Sequence, residues 1–235
     1  MSDTDPSSGD PRVALVTGAN RGIGREVARQ LLEHGFRTIL TARDEDRGRV
    51  AADELGADFL QLDVSDEGSV DRCFGAVERS FGRLDVLVNN AAIHYDTWQR
   101  GVDAELAVVE EALGTNLFGA WRTCRRSIPL MRRNGWGRIV NVSSESGSLA
   151  VMGGGTPAYS VSKAALNALT RVLAAELGGT GILVNAICPG WIATDMGGPG
   201  GGPVREGAAR VMWGVLLDDN GPTGGFFRDG RPVPW

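Results

Sequence analysis

Tyr159 and Lys163 stand four residues apart in the run Tyr-Ser-Val-Ser-Lys. In a helix this spacing puts both side chains on one face. An ammonium beside a phenol favours phenolate and moves the phenol below its usual pKa of about 10. Such a tyrosine can pass a proton to or from a substrate oxygen. The same pair is also what an ordinary amphipathic helix presents, so its meaning depends on the residues around it.

A second candidate lies near the start of the chain. A Val/Ala/Leu strand runs into Thr17-Gly18-Ala19-Asn20-Arg21-Gly22-Ile23-Gly24, and a helical pattern follows. Glycines there allow a tight turn and close approach of a pyrophosphate to a helix N-terminus, where free N–H groups and the helix dipole favour negative charge. The spacing is Gly-x3-Gly-x-Gly rather than the commoner G-x-G-x-x-G. The next strand ends in Thr41-Ala42-Arg43. An acidic residue at that point would suit the ribose 2′-hydroxyl of NAD; Arg43, helped by Arg21, suits a 2′-phosphate instead. The expected cofactor is therefore NADP(H), with Asp44 as the counter-argument. Asp63 and Val64 after the third strand, and Asn90 and Ala91 after the fourth, are placed to line the same edge.

These residues need elements to position them. The chain has 235 residues and reads as one domain, residues 11–235, after a polar lead-in at 1–10 expected to be disordered. Short Val/Ile/Leu strands alternate with amphipathic helices. Strands are expected at Arg12–Thr17, Phe36–Ala42, Asp58–Asp63, Leu84–Val88, Arg138–Ser143, Ile182–Ile187 and Thr223–Phe227. Helices are expected at Gly22–His34, Asp44–Leu55, 66–81, 102–133, 157–178 and Pro203–Leu217. This alternation indicates an α/β fold, a parallel sheet covered on both faces. The segment Gly197–Pro203 is too rich in Gly and Pro for regular structure and suggests a mobile substrate loop over about 194–205.

Composition narrows the function. Net charge is −5, which argues against a nucleic-acid partner. No apolar run is long enough to span a membrane. Three cysteines far apart suit reduced thiols in a cytoplasmic protein and give no metal spacing.

Taken together, Thr17–Gly24, Asn89–Ala92, Asn116, Ser144, Tyr159/Lys163 and Pro189-Gly190 resemble the short-chain dehydrogenases/reductases, over essentially everything from Arg12 to the C-terminus. The runs Leu40–Asp44, Cys188–Met196 and Gly221–Phe226 look most like the NADPH-dependent carbonyl reductase branch. The resemblance implies a single-domain Rossmann fold, a doubly wound sheet of about seven strands in the order 3-2-1-4-5-6-7. It implies Tyr159 as the acid in ketone or aldehyde reduction and the base in alcohol oxidation, and Ser144 as donor to the substrate oxygen. Lys163 would hold the nicotinamide ribose and lower the Tyr159 pKa, and Asn116 would keep a water in a relay to Lys163. Pro189, Gly190, Ile192 and Thr194 would contact the nicotinamide end. His94, Tyr95, Trp98 and Trp191 are candidates for an aromatic substrate wall. The resemblance further suggests a homodimer or homotetramer acting on a small-molecule carbonyl or alcohol. Two departures stand out: Ala92 where the family usually has Gly, and a longer spacer from Ser144 to Tyr159, with Gly153-Gly154-Gly155 as the apparent insertion. A nucleotide-sugar epimerase or dehydratase and a non-catalytic NADP(H)-binding sensor or structural subunit are competing readings; the first is disfavoured by length and glycine spacing, the second by the complete Asn/Ser/Tyr/Lys set.

Overall fold

The computed structural model describes residues 11–235; the expected lead-in at 1–10 lies outside the described residues. Eight strands form one sheet in the order β3-β2-β1-β4-β5-β6-β7-β8. They are β1 (Val13–Val16), β2 (Arg37–Ala42), β3 (Asp58–Gln61), β4 (Val86–Asn89), β5 (Gly137–Val142), β6 (Ile182–Ile187), β7 (Phe226–Arg228) and β8 (Arg231–Pro232). The first seven pair in parallel, in the expected order. The eighth was not expected. It pairs antiparallel with β7 through the two-residue turn Asp229-Gly230, where both residues have positive φ (51° and 70°). Asp-Gly in that conformation is a hairpin turn matched to the strand twist.

The strands are near-continuous in apolar residues because both faces of the sheet are covered. In β1, Val13 and Leu15 point into one core layer with Val70, Leu130 and Leu166. Ala14 and Val16 point into the other with Val27, Leu31 and Val211. The first layer is roofed by α3 (Glu67–Phe81), α5 (Ala120–Asn134) and α6 (Pro157–Glu176), the second by α1 (Gly22–Glu33), α2 (Glu45–Leu55) and α7 (Val204–Val215). The long helical stretch expected over 102–133 begins later, at α4 (Leu106–Ala112), and passes through a π-helical segment, Leu113–Gly119, before α5. π-Segments are rare and concentrate at functional sites; this one carries Asn116.

The helix bearing Tyr159 and Lys163 has an unusual cap. Thr156 precedes it and makes no side-chain capping bond. The wholly buried carboxylate of Asp96 accepts instead from the backbone N–H groups of Ala158 (2.9 Å) and Tyr159 (3.0 Å). An anion at this end satisfies two donors that the helix cannot and favours the dipole. Asp96→Ala should destabilise the fold by roughly 2–3 kcal/mol in urea denaturation, because two buried N–H groups lose their acceptor. Asp96→Asn should cost less. A change indistinguishable from zero for Asp96→Ala would show that the cap does not hold α6.

Candidate active site

In a parallel sheet all strands end on one edge, and here the loops leaving β1, β2, β3, β4, β5 and β6 surround a cavity of about 1000 Å³. Gly18, Asn20, Arg21, Gly22 and Ile23 line it from the first loop, Arg43 from the second, Asp63 and Val64 from the third. Asn90 and Ala91 line it from the fourth, Ser144, Tyr159 and Lys163 from the β5–α6 side, and Pro189, Gly190, Trp191, Ile192 and Thr194 from the loop after β6. Gly24 and Asn116 lie behind the wall rather than on it.

The first loop is shaped for close backbone approach. Gly18 and Gly22 both have positive φ (62° and 57°). A Cβ on Gly24 would sit 2.4 Å from the Asn90 side chain and 2.8 Å from the Gly18 carbonyl oxygen. No side chain caps the N-terminus of α1, so its first N–H groups are available to an anion. Arg21, Arg43 and Arg47 line the same end of the cavity. Arg43 makes no ion pair among the described residues, whereas Arg21 pairs with Asp195 across the cleft. Asp44 is committed elsewhere: its carboxylate accepts from the Arg47 backbone N–H at 3.0 Å and caps α2. The one acid that could serve a ribose 2′-hydroxyl is thus turned into its own helix. These residues fit a dinucleotide with an additional phosphate. Arg47 was not singled out in the sequence, although it stands one helical turn beyond Arg43.

At the other end, Tyr159 and Lys163 lie on one face of α6. The Lys163 ammonium, buried at 3% exposure, donates to the Val142 carbonyl at 2.7 Å and sits 5.5 Å from the Tyr159 ring centre. The electrostatics differ from the expectation that lysine depresses the phenol. Burial pushes the Tyr159 phenol up, opposed only in part by its hydrogen bond to Ser144. Burial also lowers Lys163, to about 8. Desolvation, which penalises the charged form of each group, is the largest cause in both cases. Tyr159 is therefore a protonated phenol at neutral pH, the form an acid must start from.

Ser143, Ser144 and Ser146 stand close together after β5, and the geometry separates them. The Ser143 hydroxyl donates inward to Asn167 (2.6 Å), and Ser146 contributes its backbone N–H to the Ser144 hydroxyl (3.2 Å). Ser144 is the one hydrogen-bonded to Tyr159. The buried Asn116 amide accepts from the Ile93 N–H (2.9 Å) and donates to the Ile93 carbonyl (3.1 Å) and the Ser162 hydroxyl (2.9 Å). It ties the loop after β4 to α6, and none of these bonds reaches Lys163.

The aromatic candidates divide. Tyr95 meets Tyr159 edge-on with ring centres 5.2 Å apart, and Trp191 overhangs the cavity, its indole N–H donating to the Gly197 carbonyl at 2.7 Å. His94 and Trp98 are not on the cavity wall. His94 has φ 57° and turns its ring to Glu111 (2.8 Å), with Trp98 packed edge-on against it. The Gly/Pro-rich segment is folded back rather than featureless: Gly198 donates to Thr194, Gly202 to Trp191, and a Cβ on Gly197 or Gly201 would overlap the Ile192 backbone. Ala92 lines the cavity, while Ala91 is the residue in contact with Gly18. Glu145 lines the cavity beside Ser144 and pairs with Arg228 at 2.6 Å. No group of residues suited to a metal ion occurs among the described residues.

The family model for short chain dehydrogenases matches residues 12–200. This chain is a member of that family. Bovine (Bos taurus) carbonyl reductase (NADPH) 1 is 35% identical over 278 aligned positions, covering 95% of this chain and 98% of the relative. The short-chain dehydrogenase fold here superposes on the NADPH-bound carbonyl reductase from chicken fatty liver with a TM-score of 0.86 at 27% identity, over 97% of this chain and 100% of the other. A structure described as ribose-5-phosphate isomerase from Brucella melitensis 16M is also similar (TM-score 0.84, 28% identity, 92% and 90% coverage). Fold alone therefore does not choose the reaction.

Lys163 is the only lysine in the chain, so its titration can be read directly. Lysine-labelled protein should give a single side-chain resonance with a midpoint near 8. A midpoint near the free-lysine value of about 10.4 would mean the ammonium is not desolvated.

Proposed function

We propose that this short-chain dehydrogenase reduces a ketone or aldehyde to an alcohol with NADPH, and runs the reverse oxidation at high alcohol. The observation that carries the reading is the placement of Tyr159, Ser144 and Lys163 in one cavity with an uncapped helix N-terminus and three arginines. The names of the bovine and chicken relatives support the same chemistry and cofactor.

Bound NADPH would supply the hydride to the carbonyl carbon. The α1 N-terminus and glycines 18, 22 and 24 hold the pyrophosphate, and Arg43 with Arg21 holds the 2′-phosphate. Asp63 is the acceptor available to the adenine amine. Its Oδ1 already takes the Ser65 hydroxyl at 2.6 Å, leaving the other oxygen for that purpose. Pro189, Gly190, Ile192 and Thr194 form the floor of the nicotinamide end. Ser144 donates to the substrate oxygen and stabilises its developing charge. Tyr159 transfers its proton to that oxygen and accepts it back in the oxidation. The Lys163 ammonium stabilises the resulting phenolate and is a donor to the ribose. Asn116 keeps the α6 side of the site in register through Ile93 and Ser162.

We further assign the protein to the cytoplasm, which its three buried, unpaired cysteines support. Self-association would use the faces of α5 and α6, where Trp121, Val161 and Val172 are exposed. Light scattering that gave a monomer mass would overturn that assembly.

The test follows NADPH and NADH consumption in parallel over a panel of ketones and aldehydes. NADPH should be consumed much faster. Tyr159→Phe should lower kcat by about a hundredfold or more, since general acid catalysis is worth that much. Arg43→Ala should lower kcat/KM with NADPH by about ten- to a hundredfold, the value of a charged hydrogen bond, and leave NADH unchanged. Equal use of both cofactors would remove the arginine clamp. Full activity of Tyr159→Phe would remove the mechanism, and binding without any turnover would favour the sensor reading.

A further inference from the structure

A second cavity of about 440 Å³ opens beside the first. The two share Tyr95, Glu145 and Ser146 as a common wall. Because the Tyr95 ring lies 5.2 Å from that of Tyr159, a group entering the side cavity is only a few bonds from a carbonyl placed at Tyr159 and Ser144.

The wall chemistry is distinctive. Hydroxyls come from Tyr95, Thr97, Ser146, Thr156 and Ser160, and Val151 is the main aliphatic contribution. No arginine or lysine lines it, and the Glu145 carboxylate is already matched by Arg228 at 2.6 Å. Such a wall rewards an uncharged hydrogen-bonding group and offers no cation to offset the desolvation of a carboxylate or phosphate.

The remaining side is Gly153, Gly154 and Gly155. A glycine is usually required by a positive φ or by a close neighbour. Gly155 has φ 107°, which accounts for it. Gly153 and Gly154 have neither reason: φ is not in the left-handed range, and an added Cβ on either would meet nothing within 4 Å. The backbone would accept side chains there, and their absence leaves the side cavity open.

We propose that the side cavity is a substrate subsite. It takes a ring-sized, uncharged, hydroxylated substituent of the carbonyl compound, and Gly153 and Gly154 determine specificity by leaving room for it. This rests on the carbonyl-reducing reading above. Its volume falls in the range of small-molecule sites, about 300–1000 Å³.

The experiment uses butanone and three derivatives carrying a ring two carbons from the methyl ketone: benzylacetone, dihydroxybenzylacetone and carboxybenzylacetone. With wild-type protein and NADPH, dihydroxybenzylacetone should exceed butanone in kcat/KM by at least about tenfold, and should exceed benzylacetone and carboxybenzylacetone as well, as expected for a site built to hydrogen-bond its substrate. Gly153→Leu and Gly154→Leu should each remove most of that advantage through a raised KM, while turnover of butanone stays at the wild-type level. The same four ketones are titrated calorimetrically into NADP⁺-saturated protein. This separates the two failures. No turnover but tightest binding of the dihydroxy compound, lost in the leucine variants, would sink the reductase reading and keep the subsite. Equal affinity for butanone and the ring compounds would overturn the subsite, as would a preference for benzylacetone or carboxybenzylacetone. Leucine variants that leave the dihydroxy advantage intact, or that slow butanone equally, would overturn the role of the glycines.

Discussion

The site depends on how α6 is seated against β5. Tyr159, Lys163, Asn167 and Thr170 form one stripe along the helix, and the last three bond directly to the strand end or the turn that follows it. Lys163 donates to the Val142 carbonyl, Thr170 accepts from Asn141, and Asn167 accepts from the Ser143 hydroxyl and donates to the Gly147 carbonyl. Gly147 is pressed so close that an added Cβ would lie 2.7 Å from the Lys163 backbone. Among the described residues no buried side-chain polar atom lacks a partner. A fully satisfied polar network in a low-dielectric interior fixes one register and penalises every other. It is this network, not the hydrophobic contacts alone, that sets Tyr159 at its height above Ser144.

The same seating explains the charge state of Tyr159 and Lys163. Every other cation among the 24 Lys and Arg residues is an arginine. Arginine stays charged under all conditions and makes forked ion pairs, which suits the surface. Lysine is the residue whose pKa yields when it is buried. At position 163 burial brings the ammonium down to about 8 while it still holds a carbonyl. Burial holds Tyr159 protonated at the same time. The resting pair is a neutral acid beside a cation that is costly to keep charged. Negative charge developing nearby would relieve the cost of the Lys163 charge, while burial keeps the Tyr159 proton on the phenol until a more basic oxygen is present to take it.

Much of this was legible in the chain. The strands stood out because a sheet covered on both faces admits apolar residues at consecutive positions, as in Val13–Val16. The glycine loop was legible because its spacing follows from steric needs that Gly24 still displays. What stayed hidden depends on distant partners or on backbone detail. Asp96 caps a helix that begins some sixty residues later, and nothing local distinguishes it from other aspartates. The π-segment under Asn116 has no signature in residue type. His94 was a reasonable wall candidate after a strand end, but a left-handed backbone turns its ring toward Glu111. The direction of the Tyr159 shift could not come from spacing, because it is set by burial rather than by the neighbouring charge. The Asp229-Gly230 hairpin, in contrast, had a readable turn signal.

That hairpin connects two loops of the cavity wall. Arg228, just before the turn, pairs with Glu145 beside Ser144. Asp229, within it, pairs with Arg210 of α7, and Arg210 donates at 2.9 Å to the carbonyl of Pro189. A chain of charges thus runs from the serine loop through the β7–β8 turn to the Pro-Gly turn. Exposed ion pairs of this kind contribute little to stability, typically about 0–1 kcal/mol each. Their value lies in geometry. The serine loop follows β5 and the Pro-Gly turn follows β6, and in the proposed reduction the two would hold a carbonyl and a nicotinamide at reacting distance. Backbone pairing between β5 and β6 ends at Val142–Ile187, where the Ser143 N–H still donates to the Ile187 carbonyl at 2.8 Å. Beyond that point the ladder no longer fixes their separation. The network through Arg228, Asp229 and Arg210 adds a side-chain link between the two loops just beyond that bond, and a misplacement of about 1 Å at such a site can cost about a hundredfold in rate.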